Sequence, residues 1–190
     1  MGSGKSTISD MFKKLNVPVV SSDEIVRSLQ RPGNVIWQQI QKNWPGKFLN
    51  DKEEIDRKKM ALKIREDKDF RNKVNQLIHP MVKSEIEKIF KVWAKEGEEV
   101  GGAEVPLLFE VGWQKMFDYI ILIRAPREIL LNRIVNSKGI TKKEANKWLR
   151  IQLDQEKNKE VAHFVVDTEK NRKSVFKKVE EIIGKIDKES

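Results

Sequence analysis

The sequence predicts an α/β fold with a parallel sheet, and three observations carry that reading. Short β-rich runs alternate with amphipathic helical segments along the chain. One of them, Tyr119-Ile-Ile-Leu-Ile123, is apolar without interruption, as in a parallel strand covered on both faces. A glycine-rich turn, Gly2-Ser-Gly-Lys-Ser-Thr7, leads straight into an amphipathic helix.

The elements follow in order. Ile8, Met11, Phe12 and Leu15 share one face of a helix over Ser6 to Leu15. Val17 to Ser21 reads as a short strand, with Pro18 near its start, where a missing N–H is tolerated. Ser22 caps a helix to Leu29, which Arg31-Pro-Gly33 ends. A helix over Val35 to Trp44 stops at Pro45-Gly46. Ile55 to Ile64, Phe70 to Leu77 and Pro80 to Ala94 give a helical middle, the last with an apolar stripe of Met81, Ile86, Ile89, Phe90 and Trp93. Ala103 to Phe109 and Tyr119 to Ile123 are strands. Pro126 opens a helix to Val135 from its first position. Thr141 caps the next helix, with Glu144 in the capping-box position. Ala162 to Val166 is the last strand and Val175 to Ile186 the last helix. The stretch from Val35 to Lys95 is too long for one crossover. The expected organisation is therefore one domain over 1–190, with a core of about 1–33 and 100–190 and an inserted helical subdomain at 34–99.

A chain of 190 residues suits one domain and can bury a core without staples. It has no Cys, which excludes a disulfide framework, a thiolate metal site and a cysteine nucleophile, and fits a reducing cytoplasm. With two His, a His-rich metal site is also disfavoured. No apolar run approaches the ~20 residues of a membrane span, and no signal-peptide pattern opens the chain. Met1-Gly2 with Ser6 matches a myristoylation pattern, but phosphate binding accounts for these residues better. The formal charge of +9 raises nucleic-acid binding as a reading, yet no reading motif accompanies it.

Gly2 to Thr7 is the back half of a P-loop, G-x-x-x-x-G-K-[ST]. Gly4 permits a tight turn and close approach to phosphate. The N–H groups of residues 2–7, Gly2, Ser3, Gly4, Lys5, Ser6 and Thr7, face an anion at a helix N-terminus. Lys5 brings a positive charge to the β/γ oxygens, and the Ser6 hydroxyl can ligate Mg²⁺. The first Gly of the full pattern would fall two positions before Met1. The strand that feeds the loop, with its turn roughly eight residues, is therefore expected to be missing. Asp23 follows the strand after the loop helix. There it serves either as a proton acceptor for an attacking hydroxyl, helping to hold Mg²⁺, or as a helix-stabilising charge.

From Gly2 to about Lys185 the chain resembles the dephospho-CoA kinases. The resemblance rests on Gly-Ser-Gly-Lys-Ser-Thr7, Val-Val-Ser-Ser-Asp23, Arg31-Pro-Gly33 and Ile-Asp-Arg57 with Lys58 and Lys59. It continues through Ile78-His-Pro80, Pro106-Leu-Leu-Phe-Glu110 and Gln152 with Lys157. It implies a three-layer P-loop NTPase fold with an acceptor-binding subdomain at 34–99 and a lid at about 136–157. It also implies transfer of the ATP γ-phosphate to the 3′-hydroxyl of dephospho-CoA, with Mg²⁺, giving CoA and ADP in the last step of CoA biosynthesis.

By that resemblance Asp23 is the general base, and Asp23, Arg57, His79, Leu107 and Glu110 form the acceptor side. Lys5 and Arg133 act on the ATP phosphates beside the loop residues. Each assignment has a plainer reading. His79 before Pro80 can cap a helix, Arg57 can be a solvated cation, and Glu110 can be a surface charge rather than the end of a buried strand facing the crevice. Trp37, Trp44, Trp93, Trp113 and Trp148 read as packing residues, and Lys58-Lys59, Lys142-Lys143 and Lys177-Lys178 as solvated faces. The chain departs from the family at Ser21, Ser137, Lys138, Trp148, His163 and Thr168. The last two are expected near adenine, and Lys138, Lys147 and Arg150 could replace lost lid charge. Another small-molecule kinase, such as a nucleoside monophosphate kinase, and a nucleotide-binding protein without catalysis are the competing readings. The expected partners are ATP and dephospho-CoA, with no nucleic acid and no membrane, in a monomer or weak homo-oligomer of the cytoplasm.

Overall fold

The computed structural model describes residues 3–152 and 161–189. In order these form α1 (Lys5–Lys14), β1 (Val19–Ser21), α2 (Ser22–Leu29), α3 (Val35–Asn43), α4 (Arg57–Glu66) and α5 (Lys68–Glu96). β2 (Gly102–Glu104), β3 (Ile121–Arg124), α6 (Arg127–Lys138), α7 (Lys142–Gln152), β4 (Phe164–Asp167) and α8 (Arg172–Glu189) follow. β1 pairs with β2, and β3 with β4. The second pair is parallel, in a register that sets Ile121 beside Phe164 and Arg124 beside Asp167. The elements gather into two compact units, Met1–Val19 with Leu107–Ser190, and Val20–Pro106.

In the first unit, α1 buries Ile8, Met11 and Phe12 and packs on α8. The facing stripe of α8 is Val175, Val179, Ile182 and Ile186, a helical spacing of four, three and four residues. α1 ends in a Schellman motif. Asn16 takes a left-handed φ of 61°, its N–H donates to the Lys13 carbonyl at 3.2 Å, and the Val17 N–H donates to the Phe12 carbonyl at 3.0 Å. β3 was expected to be covered on both faces, yet its residues are only half-buried. Among the described residues it pairs with β4 alone, and a pair two strands wide leaves much of its surface at an edge.

Pro126 stands at the N-cap of α6 rather than inside it. Its backbone is extended, and its carbonyl accepts the first helical hydrogen bond, from Leu130 N–H at 3.0 Å. The Thr141–Glu144 capping box forms as expected. The Thr141 N–H donates to Glu144 Oε2 at 2.9 Å, and the Glu144 N–H donates to Thr141 Oγ1 at 3.2 Å. It fixes the start of α7, which packs Ala145 and Leu149 against Ile134 of α6.

In the second unit, α2, α3 and α4 all pack on α5. The sequence suggests two helices broken before Pro80, but α5 runs for 29 residues through it. Its buried positions are Phe70, Val74, Ile78, Val82 and Ile86, each four residues from the next, so one stripe crosses the proline unbroken. Pro80 removes the hydrogen bond to the Gln76 carbonyl, at a typical cost of about 3 kcal/mol in a helix interior. Both residues are exposed, so water can satisfy that carbonyl. Burying each apolar side chain returns about 1.5–3 kcal/mol, which outweighs the break.

Asp67 caps α5 by accepting from the Phe70 N–H at 2.9 Å. The bond from Lys63, then the Phe70 N–H, holds its carboxyl below the ordinary value. Asp56 caps α4 in the same way, accepting from the Lys59 N–H at 3.0 Å. Ser22 does not cap α2. β1 runs into the helix without a loop, so Ser21 takes the N-cap position and Ser22 is buried in the first turn. Trp44, Phe48 and Phe70 form an aromatic cluster with centroids 4.9–6.2 Å apart. The Trp37 indole donates to the Glu53 carbonyl at 2.7 Å. Trp93 lies against Gly101 so closely that a Cβ there would meet its ring at 2.7 Å. β2 stops at Glu104, short of the expected Phe109. Pro106 has no N–H for a ladder, and the chain turns, the Val111 N–H donating to the Leu107 carbonyl at 3.0 Å.

Two outcomes follow. Ile86 is wholly buried, so Ile86→Ala should lower stability by about 2–5 kcal/mol, whereas Val92→Ala on the exposed side should change it by less than about 0.5 kcal/mol. Urea midpoints at matched m-values test both. His79 is half-buried on α5, and burial pushes its imidazole below the ordinary 6.5. The unfolded chain then takes up the proton first, so stability is full above the ordinary value and falls as pH drops through 6.5 toward the lowered one. His79→Gln should flatten the difference between urea midpoints measured at about pH 8 and pH 5.5. An unchanged difference would contradict this assignment.

Candidate functional site

The turn into α1 opens the helix on a glycine. Gly4 is the N-cap of α1 in a left-handed conformation, φ 87° and ψ 20°. A side chain there is strained by that φ, and its Cβ would lie 3.3 Å from Thr168 Cγ2. The Gly4 carbonyl accepts the first helical bond, from the Ile8 N–H at 3.0 Å. The N–H groups of Lys5, Ser6 and Thr7 therefore have no acceptor within the helix, and the positive end of its dipole lies at the loop. Ser6 and Thr7 are exposed, while Ser3 is buried beneath them. The Lys5 ammonium donates to Ser3 Oγ at 3.1 Å, which folds its charge over its own loop. Gly2 lies outside the described residues.

The C-terminal ends of β3 and β4 meet this loop. Arg124 and Asp167, side by side in the register, form a two-pronged ion pair: Nε donates to Oδ1 and Nη2 to Oδ2, the latter at 3.2 Å. The next residue, Thr168, is buried, and its hydroxyl donates to the Ser3 carbonyl at 2.8 Å. Arg133, reaching from α6, donates through Nη1 to the Thr168 hydroxyl at 3.0 Å and through Nη2 to its carbonyl at 2.7 Å. The fold thus gathers Ser3, Gly4, Lys5 and Arg133 at one place, where parallel strands present their C-terminal ends. Thr168 is in that place. His163 is not, although the sequence places it near the same adenine. Its Nδ1 accepts from the Ile120 N–H at 3.0 Å at the opposite end of β4, roughly 16 Å away along the strand.

The remaining candidates are placed separately. Asp23 is exposed in the first turn of α2. Arg57 is the first residue of α4, set there by the Asp56 cap, and His79 precedes Pro80 on α5. All three ride on helices that belong to the α5 packing group. Leu107 and Glu110 are exposed in the turn after β2, so Glu110 does not end a buried strand as expected. Ser137 Oγ donates back to the Ile134 carbonyl of its own helix at 3.3 Å. The lid expected at 136–157 runs into residues outside the described ones, including Lys157. The side chains of Lys138, Lys147, Trp148, Arg150 and Gln152 also lie outside them.

Sequence reasoning missed Arg124, Asp167 and Asp56. Arg124 and Asp167 each sit at the end of an apolar run, which is the available signal, but only the strand register pairs them. Asp56 had a clearer one, a helix-capping residue directly before a helical segment. Among the described residues, no group of three or more His, Asp and Glu could hold a metal by itself. What the loop offers is the hard oxygen of exposed Ser6, the donor type for Mg²⁺ that keeps waters and phosphate oxygens as its other ligands. Among the described residues, no helix is long and apolar enough to cross a membrane.

The chain is similar to several known proteins. A family model described as dephospho-CoA kinase matches residues 1–174. A dephospho-CoA kinase of Lactobacillus acidophilus is 29% identical, over 100% of this chain and 94% of the relative. One from Aquifex aeolicus is 28% identical, over 96% of this chain and 91% of its own. A dephospho-CoA kinase structure from Campylobacter jejuni superposes with a TM-score of 0.71 at 24% identity, covering 97% of this chain and 92% of that one. A crystal structure from Thermus thermophilus gives 0.80 at 20% identity, covering 97% and 93%. The fold is therefore the P-loop NTPase α/β fold of these neighbours, and the chain belongs to the dephospho-CoA kinase family.

Proposed function

We propose that this chain transfers the γ-phosphate of ATP to the 3′-hydroxyl of dephospho-CoA, giving CoA and ADP. The observation that carries the proposal is the joint at Gly4. A left-handed glycine opens a helix at its positive dipole end, and Lys5 and Arg133 are gathered at the same point. A triphosphate is the ligand such a cluster suits, because catalysis of phosphoryl transfer rests on positioning and charge neutralisation. The loop amides and Lys5 hold the β- and γ-phosphates, and Arg133 meets charge that grows on the transferred group. Ser6 would hold Mg²⁺, which, when bound, neutralises phosphate oxygens.

Asp23 takes the proton of the acceptor hydroxyl as general base. Arg57, His79, Leu107 and Glu110 bind the acceptor. Burial pushes the His79 imidazole below its ordinary value, which favours its hydrogen-bonding neutral form. The chain works on ATP and dephospho-CoA as a cytoplasmic enzyme, without nucleic acid or membrane. Its basic charge serves two polyanionic substrates.

Supplied with Mg²⁺-ATP, the protein should convert dephospho-CoA to CoA with one ADP released per CoA, and leave nucleoside monophosphates unphosphorylated. The reverse preference would make it a different small-molecule kinase, and ATP binding without CoA would make it a non-catalytic relative. Lys5→Ala should reduce kcat by about 100-fold or more with little change in melting temperature. Asp23→Asn should likewise cost about 100-fold or more in kcat. A near-normal rate with a lowered melting temperature would instead make Asp23 a helix-stabilising charge.

A further inference from the structure

Thr168 spends every polar group it has on the phosphate loop and its surroundings. Its N–H donates to the Arg124 carbonyl at 2.9 Å. Its hydroxyl proton faces the Ser3 carbonyl at 2.8 Å, with the Arg124 carbonyl farther off at 3.2 Å. Its hydroxyl and carbonyl oxygens accept the two Nη groups of Arg133 at 3.0 and 2.7 Å. Its methyl group stands where a Gly4 side chain would have to go. The side chain is 8% exposed, so water competes poorly for these bonds.

We propose that Thr168 is a positioning residue that locks the loop at Ser3 and the guanidinium of Arg133 into one preset unit for ATP. The proposal rests on the assignment of this loop to ATP. Two facts favour it over simple packing. A guanidinium is planar, and two bonds to oxygens of one residue fix its plane as well as its place. An arginine also has many rotamers, and holding it before the nucleotide arrives removes that ordering cost from binding. A valine would fill the same space and lose the hydroxyl, leaving the Ser3 carbonyl and Arg133 Nη1 without that partner in a buried place. A serine would keep the hydroxyl.

The test is titration of the full chain with a non-hydrolysable ATP analogue and Mg²⁺, with melting temperatures and steady-state kinetics alongside. Thr168→Val should weaken analogue binding by about tenfold and leave KM for dephospho-CoA within about twofold. Thr168→Ser should stay within about threefold of the parent. On an Arg133→Ala background, Thr168→Val should cost less than about threefold, because part of its effect passes through the arginine. If Thr168→Val does not fold, Thr168→Ala carries the same expectations. Parent-like binding by the valine variant, a serine variant as weak as valine, or an undiminished tenfold loss without Arg133 would each overturn the proposal alone. A parent that binds no ATP analogue would overturn the ATP assignment and this proposal with it.

Discussion

The first unit is organised around amides that a helix cannot satisfy. The first turn of any α-helix leaves N–H groups without acceptors, and here that turn begins at Gly4 with no side-chain cap. An Asp, Ser or Thr at the N-cap would have answered one of those amides from within the chain. A glycine supplies no such cap and lets the backbone bend into the left-handed region. Other features of the unit follow. α1 must be held from its other side, which the buried stripe of α8 does. Its far end must stop cleanly, which the Asn16 turn does. The loop itself must be tied down, which Ser3 achieves through Thr168.

The second unit meets a different constraint, a proline inside its longest helix. The break is tolerable because it falls on the exposed side, while Ile78 and Val82 continue the buried stripe past it. The same geometry leaves His79 half-buried beside the break, which disfavours its charged form. The caps at Asp56 and Asp67 do comparable work at the ends of the packed helices. Arg57 holds its place at the head of α4 because the residue before it, not the arginine, forms the cap.

Much of this was legible in the sequence, and the misses share physical causes. The loop, the capping box at Thr141 and the helix faces of α1 and α8 are local patterns, read from neighbours three or four residues apart. Pro80 and the Pro106 to Glu110 run misled in opposite directions. In α5, tertiary burial overrode a helix breaker. After β2, an apolar run that looks like a strand turned at its proline. His163 and Thr168 were both expected near adenine, yet they flank β4, and a strand puts its two ends far apart. The pairing of Arg124 with Asp167 needed the register of two strands 40 residues apart, which no local pattern contains.

Arg124 at the end of β3 and Arg133 in the middle of α6 are held in different ways, which separates position from charge at the proposed phosphate site. Arg124 is held by a carboxylate, so its bond to Asp167 both places it and cancels its charge. Arg133 is held at Thr168 by a hydroxyl and a carbonyl, two neutral oxygens. Those two bonds fix the plane and place of the guanidinium and themselves bring no negative charge. A carboxylate at 168 would grip the same arginine more strongly and bring a negative charge to the carbonyl of Ser3, next to amides aimed at an anion. Thr168 is the side chain of that size that fills the space against Gly4 and grips without neutralising. That is what the triphosphate proposed for this loop would require.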